Sequence, residues 1–131
     1  MKRIVLSLLA TAVLSACNGN HHSPTDPGNP PIIGNLKVLS FVRDDARTGQ
    51  IPLSFDYSDP EGDVARVLVT FSNGVANNPL PDAAGHKTGT ASLLQAVELP
   101  DPTAKQLAIF VQVSDSRGNL SNTLSGTVAT P

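Results

Sequence analysis

The sequence has few cysteine, aromatic and basic residues, and each shortage limits the kinds of core or surface that the protein can have. Its 131 residues contain one cysteine, no tryptophan, and 9 Lys and Arg against 11 Asp and Glu. One cysteine cannot form a disulfide within the chain, so a folded domain has to rely on its core. Basic residues this sparse provide neither a nucleic-acid surface nor a polybasic patch for membrane lipids. Aromatic residues make up 4% of the chain, which predicts a core built mainly from aliphatic side chains.

The N-terminus has the three parts of a secretory signal peptide. Lys2 and Arg3 are basic, residues 4–14 form an apolar run of 11 residues, and Ser15 and Ala16 are small. The run is too short to cross a bilayer, which takes about 20 residues. A buried core helix is the alternative, but the basic start and the small residues at the end favour export.

The four residues Leu14-Ser15-Ala16-Cys17 resemble the lipobox of bacterial lipoproteins. The resemblance implies that a diacylglyceryl group is attached to the Cys17 sulfur, that the chain is cut before Cys17, and that the new amino group is acylated. Two or three acyl chains would anchor the protein stably, because each buried methylene contributes about 0.8 kcal/mol. An ordinary signal-peptidase site is the alternative, but it places Leu14 where a small residue is expected. Asn18, in place of Asp, favours the outer membrane over the inner in enteric-type sorting.

Cleavage before Cys17 divides the chain into a signal peptide at 1–16, a lipidated linker at 17–34 and a domain at 35–131. The mature chain then has 131 − 16 = 115 residues and, without Lys2 and Arg3, a net charge of about 7 − 11 = −4. Residues 18–34 hold four prolines and three glycines, which is typical of a linker. His21 and His22 within it either bind a transition metal or belong to a solvated spacer.

Beyond residue 34 the sequence consists of short strand-like segments separated by Gly, Pro, Asn and Asp. Two segments alternate cleanly, residues 51–57 and 107–113, each with four apolar side chains on one face. No stretch of the mature chain has helical periodicity. Strands are predicted at residues 36–42, 51–58, 65–72, 92–99, 107–114 and 122–130, with a seventh at 84–88.

Six or seven short strands in about 100 residues predict an all-β domain, a two-sheet antiparallel sandwich. Two turn motifs sharpen this prediction: residues 58–63 (SDPEGD) and residues 111–121 (VQVSDSRGNLS). Asp115 suits the first position of a type I turn, and Gly118 can adopt a positive φ after it. Together the motifs resemble bacterial immunoglobulin-like domains of the PKD and cadherin-like kinds, which implies a single immunoglobulin-like sandwich of about seven strands. Residues 71–74 (FSNG) lack the Trp and both Asp of the corresponding PKD segment.

Acidic residues gather in these two turns. In an immunoglobulin-like sandwich the two loops meet at one end, so Asp59, Glu61, Asp63 and Asp115 would converge. Oxygen donors of this kind suit calcium. The alternative is that each Asp shapes its own turn by accepting hydrogen bonds from nearby backbone N–H groups. The first strand would start at the same end, so the tether from Cys17 would enter there. Residues 43–49, 73–82 and 100–104 and the C-terminus would then face away from the membrane.

Outward apolar side chains provide a second candidate surface. If the apolar face of residues 107–113 points inward, Phe110 points outward, and Leu68 does so on the neighbouring strand. The pair could form a partner or self-association patch. Single exposed apolar residues are also normal on protein surfaces and often have no role.

Catalytic motifs are missing from the sequence. Neither H-E-x-x-H nor G-x-S-x-G nor a glycine-rich phosphate loop occurs. His86 is the only histidine in the predicted domain, and Asp59 and Asp63 have no deep cleft in a sandwich of this size. We therefore expect an adhesion, display or scaffold module in the cell envelope and not an enzyme. The alternative is a small envelope protein that binds calcium, a glycan or peptidoglycan; the ligand, membrane leaflet and oligomeric state stay open.

Overall fold

Eight strands and one short 3-10 helix make up the part of the chain that the computed structural model describes, residues 28–130. Cys17, Asn18, His21 and His22 lie outside it, so the predictions about them are not addressed by the fold. Within residues 28–130 no helix is long and apolar enough to cross a membrane. The strands are β1 (Ile32–Val38), β2 (Val42–Arg43), β3 (Thr48–Ser58), β4 (Val64–Phe71), β5 (Gly74–Pro79), β6 (Thr88–Glu98), β7 (Gln106–Asp115) and β8 (Leu124–Ala129), and the 3-10 helix is Pro81–Ala83.

The first sheet is built around β3. Strand β6 pairs with it along one side over eleven consecutive residue pairs, from Thr48↔Glu98 to Ser58↔Thr88. Strands β1 and β2 pair one after the other along its opposite side. They are separated by a short break in which Leu39 N–H still donates to the Pro52 carbonyl at 3.0 Å and Phe41 is buried. All the pairings are antiparallel, as predicted.

The second sheet has the strand order β5-β4-β7-β8, and its pairings are also antiparallel. The two sheets approach each other where β1 lies beside β8. There the Asn122 side chain accepts from Ile33 N–H and donates to the Ile33 carbonyl, both at 2.9 Å. One amide side chain thus satisfies both backbone groups of a residue at the start of β1, which fixes the place where the chain enters the domain.

The core lies between the two sheets and is mainly aliphatic, as predicted from the low aromatic content. The alternating faces of residues 51–57 and 107–113 both point inward, and all eight of their apolar side chains are buried. Of the four phenylalanines, Phe55 is 1% exposed and Phe110 is 45% exposed. The predicted antiparallel sandwich is therefore confirmed, including the inward faces of its two central strands.

Three differences from the sequence predictions bear on the fold. The first strand begins at Ile32 instead of residue 36, and Ile33 is already in the core, so the folded part starts before residue 35. The predicted seventh strand at 84–88 is wrong: residues 84–87 connect the 3-10 helix to β6, which begins at Thr88. The missing strand is β5, whose sequence GVANNP has no apolar alternation because β5 is a largely exposed edge strand.

Candidate functional site

The chain enters the sandwich at the end formed by the β3–β4 and β7–β8 loops. Asn29 donates to the Glu61 carboxylate through its side chain at 2.9 Å and its backbone N–H at 3.3 Å. Gly28 has a φ of 70°, and a Cβ there would lie 2.6 Å from Arg117 Nη1. The tether is therefore held against both loops, as the predicted topology requires.

Asp59 shapes the β3–β4 loop from inside. The residue is fully buried, and its two carboxylate oxygens accept from Glu61 N–H at 3.3 Å and Asp63 N–H at 2.8 Å. Gly62 closes the loop by donating to the Asp59 carbonyl at 3.1 Å with a φ of 71°. The loop conformation therefore depends on a buried carboxylate in the role of turn former.

Asp115 plays the same part in the β7–β8 loop. One of its carboxylate oxygens accepts from Arg117 N–H at 2.9 Å and Asn119 N–H at 2.8 Å, and the other accepts from the Asn119 amide at 2.7 Å. Gly118 donates to the Asp115 carbonyl and has a φ of 89°. This geometry confirms the predicted turn, with Asp at its first position and Gly in the left-handed region.

Asp63 joins the two loops. Its carbonyl accepts from Ser116 N–H at 2.9 Å, and its Oδ2 accepts from the Ser116 hydroxyl. The Arg117 Nε lies 3.9 Å from the same oxygen. The other oxygen, Oδ1, is buried and has no hydrogen-bond partner among the described residues. Among the four acidic residues, only Asp63 has a buried carboxylate oxygen without a hydrogen-bond partner among the described residues.

The structure thus brings together all four residues of the predicted calcium set, but in unequal roles. The carboxylates of Asp59 and Asp115 accept hydrogen bonds from backbone N–H groups of their own loops, and the Glu61 carboxylate accepts from Asn29 of the tether. Within residues 28–130 no group of three or more His, Cys, Asp and Glu side chains is arranged to hold a metal ion. The turn-forming interpretation describes what Asp59 and Asp115 do in this conformation, and calcium stays a prediction.

Burial raises the pKa of the Asp59 carboxyl above 3.8, hydrogen bonds from Asp63 and Glu61 N–H groups partly lower it, and the Asp63 carboxylate raises it again. A raised native pKa means that the folded state binds more protons than the unfolded state between 3.8 and the native value. Stability therefore falls as pH rises through that interval. Replacing Asp59 with asparagine should remove this fall, whatever it does to stability at one pH.

The check is urea unfolding of wild type and Asp59→Asn at a series of pH values from about 3 to 7, the range that spans ordinary and raised carboxyl pKa values. The wild-type free energy of unfolding should decline relative to that of the variant as pH rises. Parallel profiles would show that Asp59 does not retain its proton. Asp45, Asp56 and Asp101 have lowered pKa values, so their contribution to the stability of the fold is lost only as pH falls. Both proteins contain them, so their effect cancels in the comparison.

The predicted patch of Leu68 and Phe110 lies on the outer face of the second sheet. Phe110 is opposite Thr70, and Leu68 is opposite Gln112, so the two apolar side chains are diagonal neighbours and not a direct pair. Leu68 is only partly exposed. Both residues therefore lie on the outer face of the second sheet, and Phe110 is the more exposed of the two.

A larger group of exposed apolar side chains was missed in the sequence. Leu39, Val42 and Leu94 are 59%, 56% and 60% exposed and lie on the first sheet, where Leu94 is paired with Pro52. The adjacent leucines at 93 and 94 were the available signal, because a strand cannot bury two consecutive side chains on one face. His86 lies in the exposed turn between the 3-10 helix and β6, where its N–H donates to the Ala83 carbonyl.

Comparisons with known proteins address the two ends of the chain separately. Residues 1–18 match the family described as the prokaryotic membrane lipoprotein lipid attachment site. No curated protein matches the chain. Among solved structures, the PKD domain of an M14-like peptidase from a Thermoplasmatales archaeon is similar, with a TM-score of 0.50 and 15% identity over 79% of this chain and 98% of that one. The chain thus carries a match to a lipoprotein attachment site ahead of a domain with a PKD-like immunoglobulin fold.

Proposed function

We propose that the protein is a non-catalytic display, adhesion or scaffold module of the cell envelope, anchored by lipid on Cys17 and more specifically in the outer membrane. The observation that carries the proposal is the position of the tether. It enters at one end of the sandwich, against Glu61 and Arg117, and the opposite end is built from exposed loops. A lipid anchor at one end and free loops at the other are what a module that presents a surface requires.

The far end is well separated from the tethered end of the sandwich, and hydrogen bonds hold its loops in shape. Strand β3 has 11 residues, which at about 3.3 Å per residue put the two ends about 35 Å apart. At the far end Leu99 N–H donates to the Arg47 carbonyl at 2.6 Å, and the Asn73 amide donates to the Glu98 carbonyl at 2.8 Å. Thr130 N–H donates to the Lys105 carbonyl at 3.0 Å.

Two far-end loops are also stiffened by acidic caps. Asp45 accepts from the N–H groups of Arg47 and Thr48, both at 2.7 Å, and Asp101 accepts from Thr103 N–H at 2.8 Å. Preformed loops lose little entropy on binding.

The predicted far-end segment 73–82 needs correction. It starts at the far end, but β5 returns the chain to the tethered end, where Gly85 N–H donates to the Gly62 carbonyl.

The test is photo-crosslinking in cell envelopes, with a photoreactive residue at Thr103 in the far end, at Phe110 on the sheet face, and at Leu120 as the matched control. Leu120 is exposed and lies in the β7–β8 loop at the tethered end. A display or scaffold role predicts a discrete protein adduct from Thr103 or Phe110 and none of that adduct from Leu120. An adduct from Leu120 alone, no adduct at any position, or a hydrolytic activity that copurifies with the chain would contradict the proposal.

Calcium binding is a second candidate function, and one observation favours it. The buried Oδ1 of Asp63 has no partner among the described residues, and a buried unpaired carboxylate oxygen is costly unless something binds it. A cation seated there would also relieve the repulsion between the Asp59 and Asp63 carboxylates. Thermal unfolding with calcium should then have a midpoint several degrees above that with EDTA, and Asp63→Asn should abolish the difference. Identical midpoints in the wild type would remove calcium as a candidate.

A further inference from the structure

The outer edge of β6 has no strand beside it within residues 28–130. Two backbone hydrogen bonds at the ends of the β3–β6 ladder show which way its peptide groups point. Asp59 N–H donates to the Lys87 carbonyl, and Leu99 N–H donates to the Arg47 carbonyl. Both pairs continue the register of the ladder. Because bonded and non-bonded pairs alternate in an antiparallel ladder, odd-numbered residues of β6 bond to β3 and even-numbered residues direct their N–H and C=O groups outward.

Pro52 supports this assignment. Proline has no N–H, and Pro52 is paired with Leu94, an even-numbered residue that therefore needs no donor from β3. The outward carbonyl of Ala96 is already taken by the Gln95 amide at 2.7 Å, and Asn78 holds the Gln95 side chain at 2.7 Å. Towards the tethered end no such cover exists among the described residues. Thr90, Ser92 and Leu94 thus present their outward backbone groups free of any other backbone partner.

The same segment borders a hollow of about 320 Å³ between β6 and the 3-10 helix. Part of its lining is apolar, from Tyr57, Leu80, Ala83, Ala91 and Leu93, and the rest comes from Pro79, Pro81, Asp82, Thr90 and Ser92. The volume is at the low end of the range of small-molecule sites, about 300–1,000 Å³, so it accepts a group of side-chain size. On the other face of β6, Leu94 is exposed and adjoins Pro52 and Leu39 in a shallow apolar surface.

Strand β6 also lacks the devices that usually protect an edge. Its ladder with β3 runs without a bulge, and from Thr88 to Val97 it contains no charged residue and no proline. Natural edge strands generally use charges, prolines or bulges to prevent pairing with other chains. Their absence here, over the stretch that borders the hollow, marks an edge that is open to a further strand.

We propose that β6 binds an extended, uncharged peptide segment of another protein, which adds a strand along Thr90–Ser92–Leu94 and places one apolar side chain in the hollow. The backbone groups of the edge specify an extended strand, and the hollow specifies the side chain that faces it. The neighbouring side chains of the bound segment, which point to the opposite face of the sheet, would pack beside Leu94. The edge of β6 would then be the site at which the module recognises its partner, on the side of the sandwich. This inference rests on the proposed function, a non-catalytic module that binds a partner.

A second copy of this chain fits the edge less well than a different protein. Two copies paired through β6 about a two-fold axis would be antiparallel, so their tethered ends would lie at opposite ends of the paired strands, about 35 Å apart. With the strands perpendicular to the membrane, as the proposed display role has them, the tethered end of one copy would then lie about 35 Å farther from the membrane than that of the other. A peptide segment of another protein has no such constraint.

The test uses the mature chain with Cys17→Ala, which removes the lipid and changes no described residue. The probe is a blocked octapeptide in which leucine alternates with threonine, and the same peptide with N-methylated threonines is its control. NMR should show shifts of the Thr90, Ser92 and Leu94 amides and of the hollow side chains with the first peptide only. Ser92→Pro removes one outward N–H without touching the β3 ladder and should weaken binding at least about tenfold. Ser92→Ala keeps that N–H and should bind within about twofold.

Several results would overturn the proposal. These are no amide shifts at the edge, equal binding by Ser92→Pro at an unchanged thermal midpoint, or equal binding by the N-methylated peptide. If Ser92→Pro fails to fold, the N-methylated control decides alone. A dimer of the wild type that Ser92→Pro abolishes would replace the peptide by a second copy. Crosslinks from the far end would still support the proposed function if the edge binds no peptide. Edge binding without any crosslink would support peptide recognition at β6 and contradict the proposed display role.

Discussion

Replacing Cys17 by alanine is expected to move the protein from the membrane fraction to the soluble fraction. The match of residues 1–18 to a lipid attachment site supports the Cys17 sulfur as the proposed point of anchorage, and two acyl chains hold a protein where one holds it only marginally. The new alanine, together with Ser15 two residues earlier, places small side chains one and three positions before a possible cut. Ordinary signal cleavage can therefore still release the chain.

The measurement is fractionation of cells that produce wild type, Cys17→Ala and Ser23→Ala, a linker variant that leaves the attachment site intact. Wild type and Ser23→Ala should sediment with membranes, and the soluble share of Cys17→Ala should exceed theirs at least about tenfold, given the free energy of burying acyl chains. A Cys17→Ala protein that is processed and still sediments with membranes would contradict lipid anchoring.

The largest loss of stability is expected from Phe55→Ala. Phe55 is the largest fully buried side chain of the core, at 1% exposure on the central strand of the first sheet. Truncating a buried phenylalanine to alanine costs about 3–5 kcal/mol, which in a domain of about 100 residues lowers the unfolding midpoint by more than about 10 °C. Phe55→Leu keeps most of the volume and should lose about 1 kcal/mol.

Phe110→Ala is the matched control, because the same side chain is 45% exposed on the outer face of the second sheet. It should cost about 1 kcal/mol or less, since much of its area stays in water in the folded state. Urea unfolding of the three variants measures the differences. Equal losses for Phe55→Ala and Phe110→Ala would show that the inward and outward faces have been assigned incorrectly.

The faces of the central strands could be predicted because they depend on local pattern alone. In β3 and β7 every second residue, from 51 to 57 and from 107 to 113, is large and apolar, and burying this continuous apolar face is the arrangement that both strands favour. The β7–β8 turn was likewise predictable from Asp115 and Gly118, whose side-chain and backbone chemistry acts over four residues. At both places the sequence and the structure agree to the residue.

Other features depend on contacts between distant parts of the chain. Strand β5 is held by its pairing with β4, and its sequence GVANNP has no pattern that predicts a strand. Ile32 and Ile33 follow two prolines and resemble linker, yet Asn122 fixes Ile33 from 89 residues away. The burial of Asp59 and the free edge of β6 likewise follow from register and loop packing, so the sequence indicates the residues but not their surroundings.

Energy transfer from two labelled positions on the domain to the membrane reports which end of the sandwich faces the membrane. Cys17 is the only cysteine and its sulfur is acylated in the lipidated protein, so one added cysteine is the only thiol to label. Ala46→Cys lies at the far end and Ala84→Cys near the tether, and both alanines are exposed. Each labelled protein is reconstituted in vesicles that carry an acceptor dye on the lipid headgroups.

Transfer should be strong from position 84 and weak from position 46, because the two ends of the sandwich lie about 35 Å apart. Removing the lipid with Cys17→Ala should abolish transfer from both positions. Equal transfer from the two positions, or stronger transfer from position 46, would contradict an account in which the tethered loops face the membrane and the opposite loops are displayed.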